Sequence, residues 1–366
     1  MNFAALKHNR PLPIGIDIGS SRVKLAQLRP AADQLELLAA GSIDIPRELN
    51  KDRRKKLDYL TDRLGGVLKS NSFKGRTCIL SVPTNEIFVQ HIRLPRMATE
   101  QVQNALGLEM QGKLPYPTHE AIIRHVIAGE VYCEGEAKQE VIVVAVRRSN
   151  LEQYLQMAEK AKLDVIGVNI ESCAMVECFA RLLKRASDTA KTILYIDIGA
   201  TCTKVALSQG SHLAFARNLD IGGEHMDQVV ADGLGVLPEQ AQAMRWDLRN
   251  NDQPSPASDA LYKLLDCKLG QLADQLTQCL RYYESVFRNE GIERTIFVGG
   301  QAYDKRLCQS LAQRLNLPAQ VGDPLVRVKR IEGAGTGSGL ERKEPQPDWA
   351  IAVGLSLGAA KSTKAA

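Results

Sequence analysis

Long hydrophobic runs are missing from this chain of 366 residues. The longest unbroken apolar stretch, Val141 to Val146, suits a buried strand and falls far short of the ~18 residues needed to span a bilayer. The N-terminal region has no apolar core segment, so no secretory signal is expected. Aromatic residues make up only 5% of the chain. They do not interleave with the densest basic run, Lys51 to Lys56, which reads as the solvated face of a helix. Nucleic-acid binding therefore gains little support. The eight cysteines are scattered without a Cys-x-x-Cys pair, and the six histidines are equally dispersed. That spacing argues for reduced thiols and against a zinc site. Neither sign of charge dominates: the net +5 allows at most a weak attraction to an anionic membrane surface.

What is present is an ordinary globular composition, 44% apolar and 24% charged, in a chain long enough for two or more domains of ~100–200 residues. Its most informative feature is a repeat. Ile14-Gly15-Ile16-Asp17-Ile18-Gly19-Ser20-Ser21-Arg22-Val23-Lys24 returns, altered, as Leu194-Tyr195-Ile196-Asp197-Ile198-Gly199-Ala200-Thr201-Cys202-Thr203-Lys204. The two aspartates are 180 positions apart (197 minus 17). A period this long signals two homologous halves rather than a solenoid, whose repeat is ~20–50 residues.

Each copy reads as strand, tight turn, strand. One copy alone is an ordinary hairpin. Two copies with Asp, Gly and Lys at matched offsets have the chemistry of a phosphate grip. A strand-end Asp can orient a metal-bound water, and a Gly lets backbone N–H groups approach an anion. A Lys adds a point charge for phosphate oxygens. The pair implies one nucleotide held between two similar halves.

Between the copies, strands are expected at 34–45 and 77–82, with a charged helix at about 51–70. Ile87 to Leu94 alternates as a strand. Thr99 opens a helix with Val102, Leu106 and Met110 on one face. The prolines at 115 and 117 stop it. Strands at about 121–132 and 139–147 follow, and Ser149-Asn150-Leu151-Glu152 reads as a capping box for a helix to about Lys162. Val165 to Ile170 returns to a strand, and a helix runs from Glu171 to about Arg185. The polar 186–191 stretch reads as a hinge. In the second half, Leu261, Leu265, Leu269, Leu272, Leu276, Leu280, Tyr283 and Phe287 form the buried stripe of a helix at about 259–289. Thr295 to Val298 reads as a strand ending in Gly299-Gly300, residues 330–347 as a mobile loop, and Trp349 to Ala360 as a closing helix.

In this order the pieces resemble the actin-like ATPase superfamily. The phosphate motifs fall on Asp17 to Lys24 and Asp197 to Lys204, and the adenosine motif on Ile296-Phe297-Val298-Gly299-Gly300-Gln301-Ala302. The connecting segments fall on Val168 to Ser172 and Ile351 to Leu355. The strings Ile92-Arg93-Leu94-Pro95-Arg96-Met97 and Glu109-Met110-Gln111-Gly112-Lys113-Leu114-Pro115-Tyr116-Pro117, with Ile221-Gly222-Gly223-Glu224, resemble the PilM family of type IV pilus assembly, related to FtsA.

That resemblance implies an α/β, duplicated actin-like (ribonuclease H-like) fold. Its first lobe would comprise 1–83 plus 164–188, with a small α+β subdomain inserted at 84–163. The second lobe would comprise 189–366, with 224–293 as its outer part. ATP and Mg²⁺ are the expected ligands. Asp17 and Asp197 would hold Mg²⁺ mainly through water. Gly19, Ser20, Ser21 and Lys24 would grip phosphates from one side, and Gly199, Ala200, Thr201 and Lys204 from the other; Lys204 could equally face solvent. Gly299 and Gly300 would admit the sugar and base, with Gly223 and Glu224 lining the same pocket. Thr277 and Gln278 stand where the family has a basic pair. Glu171 lies where relatives polarise the attacking water, although a helix-opening Glu needs no catalytic duty. Slow or absent hydrolysis is expected, with ATP acting as a clamp.

The implied role is a scaffold at the cytoplasmic face of the inner membrane. It would capture the N-terminal tail of a PilN-like membrane protein and meet other inner-membrane pilus components. Membrane association would be peripheral, through that partner, and self-association is left open. The alternatives are a small-molecule kinase on the same fold and a polymerising FtsA-like division protein. The terminal Ala359 to Ala366 reads as too short and too weakly apolar to anchor as FtsA does.

Overall fold

The computed structural model describes residues 10–32, 34–133, 135–250, 255–287, 291–340 and 344–362. They form two compact units: one runs to Lys184 and resumes at Asp323, and the other spans Arg185–Gly322. The first unit opens with β1 (Ile14–Ile18), β2 (Arg22–Ala31), β3 (Gln34–Asp44), α1 (Arg53–Ser70) and β4 (Thr77–Ser81). It continues with β5 (Ile87–Pro95), α2 (Thr99–Glu109), β6 (Ala121–Cys133), β7 (Glu136–Arg147), α3 (Arg148–Lys160), β8 (Asp164–Asn169) and α4 (Glu171–Ala180). The second unit holds β9 (Thr192–Ile198), β10 (Thr203–Gln209), β11 (His212–Leu219), α5 (Gly223–Leu234), α6 (Pro238–Asn250), α7 (Pro256–Val286), β12 (Arg294–Val298), α8 (Lys305–Leu315) and β13 (Ala319–Val321). The chain then re-enters the first unit as β14 (Val328–Arg330) and α9 (Ala350–Ser362).

The duplication read from the repeat is a duplication of topology. The first unit's main sheet runs β14-β3-β2-β1-β4-β8, and the second unit's runs β11-β10-β9-β12-β13. In both, two antiparallel hairpin pairings are followed by two parallel ones. Strands β1 and β9 are apolar throughout except for Gly15, Thr192, Tyr195 and the two aspartates, and every residue in them is buried. That is the pattern of central strands covered on both faces.

In the first unit, α1 and α3 cover one face of the sheet. Leu57, Leu60, Leu64 and Leu68 of α1 and Leu151, Tyr154 and Met157 of α3 share a core with Ile14, Ile16 and Ile18. Helix α9 lies along β1 and packs on α4. Two glycines permit that close approach. A Cβ on Gly15 would strike the Ala352 carbonyl, and one on Gly354 would strike the Ala174 carbonyl. The second unit's long helix α7 buries its predicted leucine stripe and packs against α5 and α8.

Three expectations need correction. Residues from Asp323 onward do not extend the second lobe; β14 pairs in parallel with β3, and α9 packs on β1 and α4. The inserted module is the three-stranded sheet β5-β7-β6 with α2, whose Val102, Leu106 and Met110 cover Val141 and Val143. Helix α3, expected inside that module, joins the core of the first sheet instead. It begins at Arg148 directly after β7, so Ser149 lies inside its first turn and is not its cap. Part of the expected loop at 330–347 and the end of the chain lie outside the described residues.

Candidate functional site

Parallel strands in register bring their carboxyl ends to one edge of a sheet, where α/β proteins bind ligands. In the first unit Ile16 pairs with Leu80, and Ser81 pairs with Asn169. Asp17, Ser81 and Asn169 therefore stand side by side at that edge. Asp17 is buried and its Oδ1 accepts the Ser81 hydroxyl at 3.4 Å, while Ser81 Oγ also accepts the Ile18 amide at 3.0 Å. Lys24 is the cross-strand partner of Asp17, yet its Nζ is 3.3 Å from Asp348 Oδ2, just ahead of α9.

The turn between β1 and β2 is held from behind. The Gly19 amide donates to the Arg22 carbonyl at 3.2 Å, and a Cβ on Gly19 would sit 2.7 Å from that oxygen. The Gly19 carbonyl accepts from Lys56 Nζ at 3.1 Å, and the Ser21 carbonyl from the Ile45 amide at 2.8 Å. Lys56 is only 8% exposed, contrary to the expected solvated face, and Nζ also donates to Asn50 Oδ1 at 3.2 Å. Burial pulls its pKa below the ordinary lysine value, with the nearby Glu86 charge acting the other way.

In the second unit Asp197 and Lys204 are again cross-strand partners, and here they pair directly: Lys204 Nζ lies 2.9 Å from Asp197 Oδ2. Lys204 thus turns to the aspartate rather than to solvent. Gly299 has φ +87°, a left-handed conformation that favours glycine, and a Cβ there would strike Asp197 Oδ1. The Gly199 amide donates to the Cys202 carbonyl at 3.0 Å, matching the turn at Gly19. Its carbonyl accepts from the Gly223 amide at 3.0 Å, and that of Ala200 from the Glu224 amide at 2.7 Å. Helix α5 therefore begins against the turn.

Arg245 of α6 holds that junction together. At 6% exposed, it donates from Nη1 to the Gly223 carbonyl at 3.0 Å and to Asp227 Oδ1 at 2.5 Å, and from Nη2 to Gln301 Oε1 at 2.7 Å. Gln301 also lies where a Cβ on Gly223 would go, so the Gly222-Gly223 and Gly299-Gly300 segments meet. Nearby, Tyr262 donates to Asp304, and burial pushes its phenol pKa well up.

Within the first unit the structure thus groups Asp17, Gly19, Ser20, Ser21 and Lys24 around one turn. Within the second it groups Asp197, Lys204, Gly199, Ala200, Thr201, Gly223, Glu224, Gly299 and Gly300. Glu171 opens α4, buried, with Oε2 accepting the Thr84 hydroxyl at 2.6 Å. Thr277 of α7 donates to the Ala273 carbonyl of its own helix at 2.8 Å.

Ser81, Lys56, Arg245 and Asp348 were not singled out from the sequence. Lys56 carried a signal: it precedes the buried Leu60 and Leu64 by four and eight positions and so shares their face. Arg245 likewise falls four residues after the buried Ala241.

The family profile for type IV pilus assembly protein PilM matches residues 15–360. A solved PilM-PilN type IV pilus biogenesis complex contains a chain similar to this one, with TM-score 0.78 and 19% identity over 95% of this chain and 98% of that one. MreB5 of Spiroplasma citri bound to AMPPNP shares the fold at TM-score 0.54 and 12% identity, over 97% of each chain. Cell division protein FtsA of Bacillus subtilis is 21% identical over 280 residues, 70% of this chain; the match spans 62% of FtsA. Two sheets that share a five-strand order, β14 being added at the edge of the first, each with its Asp-x-Gly turn, are the duplicated actin-like fold. The chain belongs to the family of type IV pilus assembly protein PilM.

Proposed function

We propose that this chain is a nucleotide-binding actin-like scaffold of a type IV pilus or related inner-membrane assembly, and that it captures the cytoplasmic N-terminal tail of a PilN-like membrane protein. The observation that carries the nucleotide reading is the twin turn. Twice, a strand-end aspartate sits opposite a lysine, and a glycine turn has its carbonyls tied back into the protein. A peptide whose carbonyl points inward presents the next N–H outward, which is the donor geometry a phosphate needs. Ser20, Ser21 and Thr201 add hydroxyls at those turns, and the half-buried Glu224 and Gly300, beside the buried Gly223 and Gly299, would adjoin a sugar and base.

Bound Mg²⁺ would supply charge neutralisation at the phosphates. Asp17 and Asp197 would hold it mainly through water, since Mg²⁺ usually keeps several of its waters. Glu171 remains the candidate for orienting a water. Its bond to Thr84 and its place at a helix N-terminus give it a structural duty as well, in keeping with slow turnover at most. ATP then serves as a clamp that favours one arrangement of the chain.

For the tail, a groove of about 310 Å³ in the first unit is lined by Gln103 and Gly107 of α2, Ala121 to Arg124 of β6, and Arg148 at the start of α3. It lies where the inserted module adjoins the first sheet's helices, and it suits a disordered segment that orders on binding. Among the described residues no helix is long and apolar enough to cross a membrane. A peripheral position at the inner membrane's cytoplasmic face, beside other pilus components, would come through that partner; self-association is compatible with the fold.

The test is capture of a synthetic PilN-like tail with and without Mg-ATP, using the wild type and Asp17→Ala. ATP is expected to tighten capture and the substitution to abolish that gain. Capture indifferent to both would refute the coupling of nucleotide to tail.

A further inference from the structure

We propose that Lys56 is a positioning residue of the first phosphate turn: its buried ammonium fixes the Gly19–Ser20 peptide so that the Ser20 amide faces the anion. This rests on the nucleotide reading above and assigns a role within it to a residue outside both phosphate motifs.

In a planar trans peptide the carbonyl and the following N–H point in opposite directions. Lys56 Nζ donates to the Gly19 carbonyl at 3.1 Å from the first turn of α1. With that oxygen held inward, the Ser20 N–H is turned the other way. A bond to a charged donor is stronger than a neutral one, and a buried donor is not exchanged for water. The lysine is itself aimed: Asp52 caps α1 by accepting the Lys55 amide at 3.1 Å, and Asn50 takes a second ammonium proton at 3.2 Å.

The second unit meets the same demand by other means. There the Gly199 and Ala200 carbonyls are held by the Gly223 and Glu224 amides at the start of α5. At the first turn, among the described residues, a side-chain cation holds the Gly19 carbonyl where the second turn uses a helix N-terminus. Holding a buried ammonium costs stability, as its lowered pKa indicates. A solvated lysine on α1 would avoid that cost, and the burial is explained by what the ammonium holds.

The experiment measures Mg-ATP and AMP affinities by titration calorimetry for the wild type, Lys56→Met and Lys56→Arg, with thermal unfolding of each. It adds amide hydrogen exchange of wild-type Gly19–Ser21 with and without each nucleotide. Lys56→Met is expected to bind Mg-ATP about tenfold more weakly while keeping its affinity for AMP, which lacks the terminal phosphates this turn would grip. Lys56→Arg should recover most of the loss. Mg-ATP, but not AMP, should slow exchange at the turn.

Equal Mg-ATP affinity in wild type and Lys56→Met would overturn the inference while leaving the nucleotide reading intact. Equal losses for Mg-ATP and AMP, with a lower melting temperature, would reduce Lys56 to a structural role and overturn it too. A folded wild type that binds no nucleotide would defeat both readings together. If Lys56→Met does not fold, Lys56→Gln decides: weaker Mg-ATP binding with AMP affinity kept supports the role, and unchanged Mg-ATP affinity overturns it.

Discussion

The two Asp-x-Gly hairpins share a backbone plan and differ in what anchors it. At β9–β10 the turn's carbonyls are held by backbone, the Gly223 and Glu224 amides, with Arg245 behind them, and Lys204 lies directly on Asp197. At β1–β2 the Ile45 amide holds the Ser21 carbonyl, and the other anchors are side chains from distant segments: Lys56 holds the Gly19 carbonyl, Ser81 holds Asp17, and Asp348 holds Lys24. The same donor geometry therefore has one version fixed by local helix packing and one assembled from three remote residues. The first hairpin should be the easier to retune by substitution, and the second the harder to damage without unfolding.

The strongest way to break the comparison is Arg245→Met. Arg245 ties the start of α5 to Gln301 and neutralises Asp227, itself 2% exposed. Removing it leaves a buried carboxylate without its guanidinium, at a cost of about 3–5 kcal/mol. Urea unfolding of the whole chain should show that loss. Nucleotide binding should fall with it, because the anchors of the second turn and the fold of its unit are one set of contacts.

The aspartates sharpen the contrast. Asp197→Asn removes the carboxylate charge beside a Lys204 that is mostly buried, and should lower stability by about 1–2 kcal/mol. Asp17→Asn leaves a side-chain oxygen that can still accept from Ser81 and should be nearly neutral in a thermal melt. Both should weaken Mg-ATP relative to metal-free ATP. Equal stability losses at the two sites would mean that the anchoring does not differ as described.

Much of this was legible in the chain itself, and the reason is locality. Asp17 and Lys24, like Asp197 and Lys204, are seven apart, so a tight hairpin sets them opposite one another whatever else the protein does. The leucine stripe of α7 and the Val102-Leu106-Met110 face of α2 are periodic within one helix and needed no tertiary information. What escaped was long-range. The pairing of β14 with β3 joins Val328 to Leu35, and Lys24 meets Asp348; no local pattern announces either. Lys56 was hidden differently. Four other residues of a basic run share its chemistry, and only its spacing of four and eight from Leu60 and Leu64 separates it from neighbours that do face water. Arg245 was masked in the same way, as a charge on a stripe that otherwise reads apolar.

Asp348→Asn is the smallest and most specific perturbation of the first hairpin. Lys24 is 3.3 Å from Asp348, and both side chains are about nine-tenths buried, so the pair is only weakly screened by solvent. A bound phosphate must compete with that carboxylate for the ammonium. Neutralising Asp348 removes the competitor while the amide can still hydrogen-bond, so Mg-ATP should bind about threefold more tightly, on the order of 0.6 kcal/mol. Lys204 pairs with Asp197, the residue proposed to hold the metal, so the matching substitution in the second unit should weaken binding instead. Opposite signs at the two sites, measured by calorimetry at one ionic strength, are the expected result. A loss of affinity in Asp348→Asn would mean that the aspartate steers Lys24 toward the phosphates, and the two lysines would then be working alike.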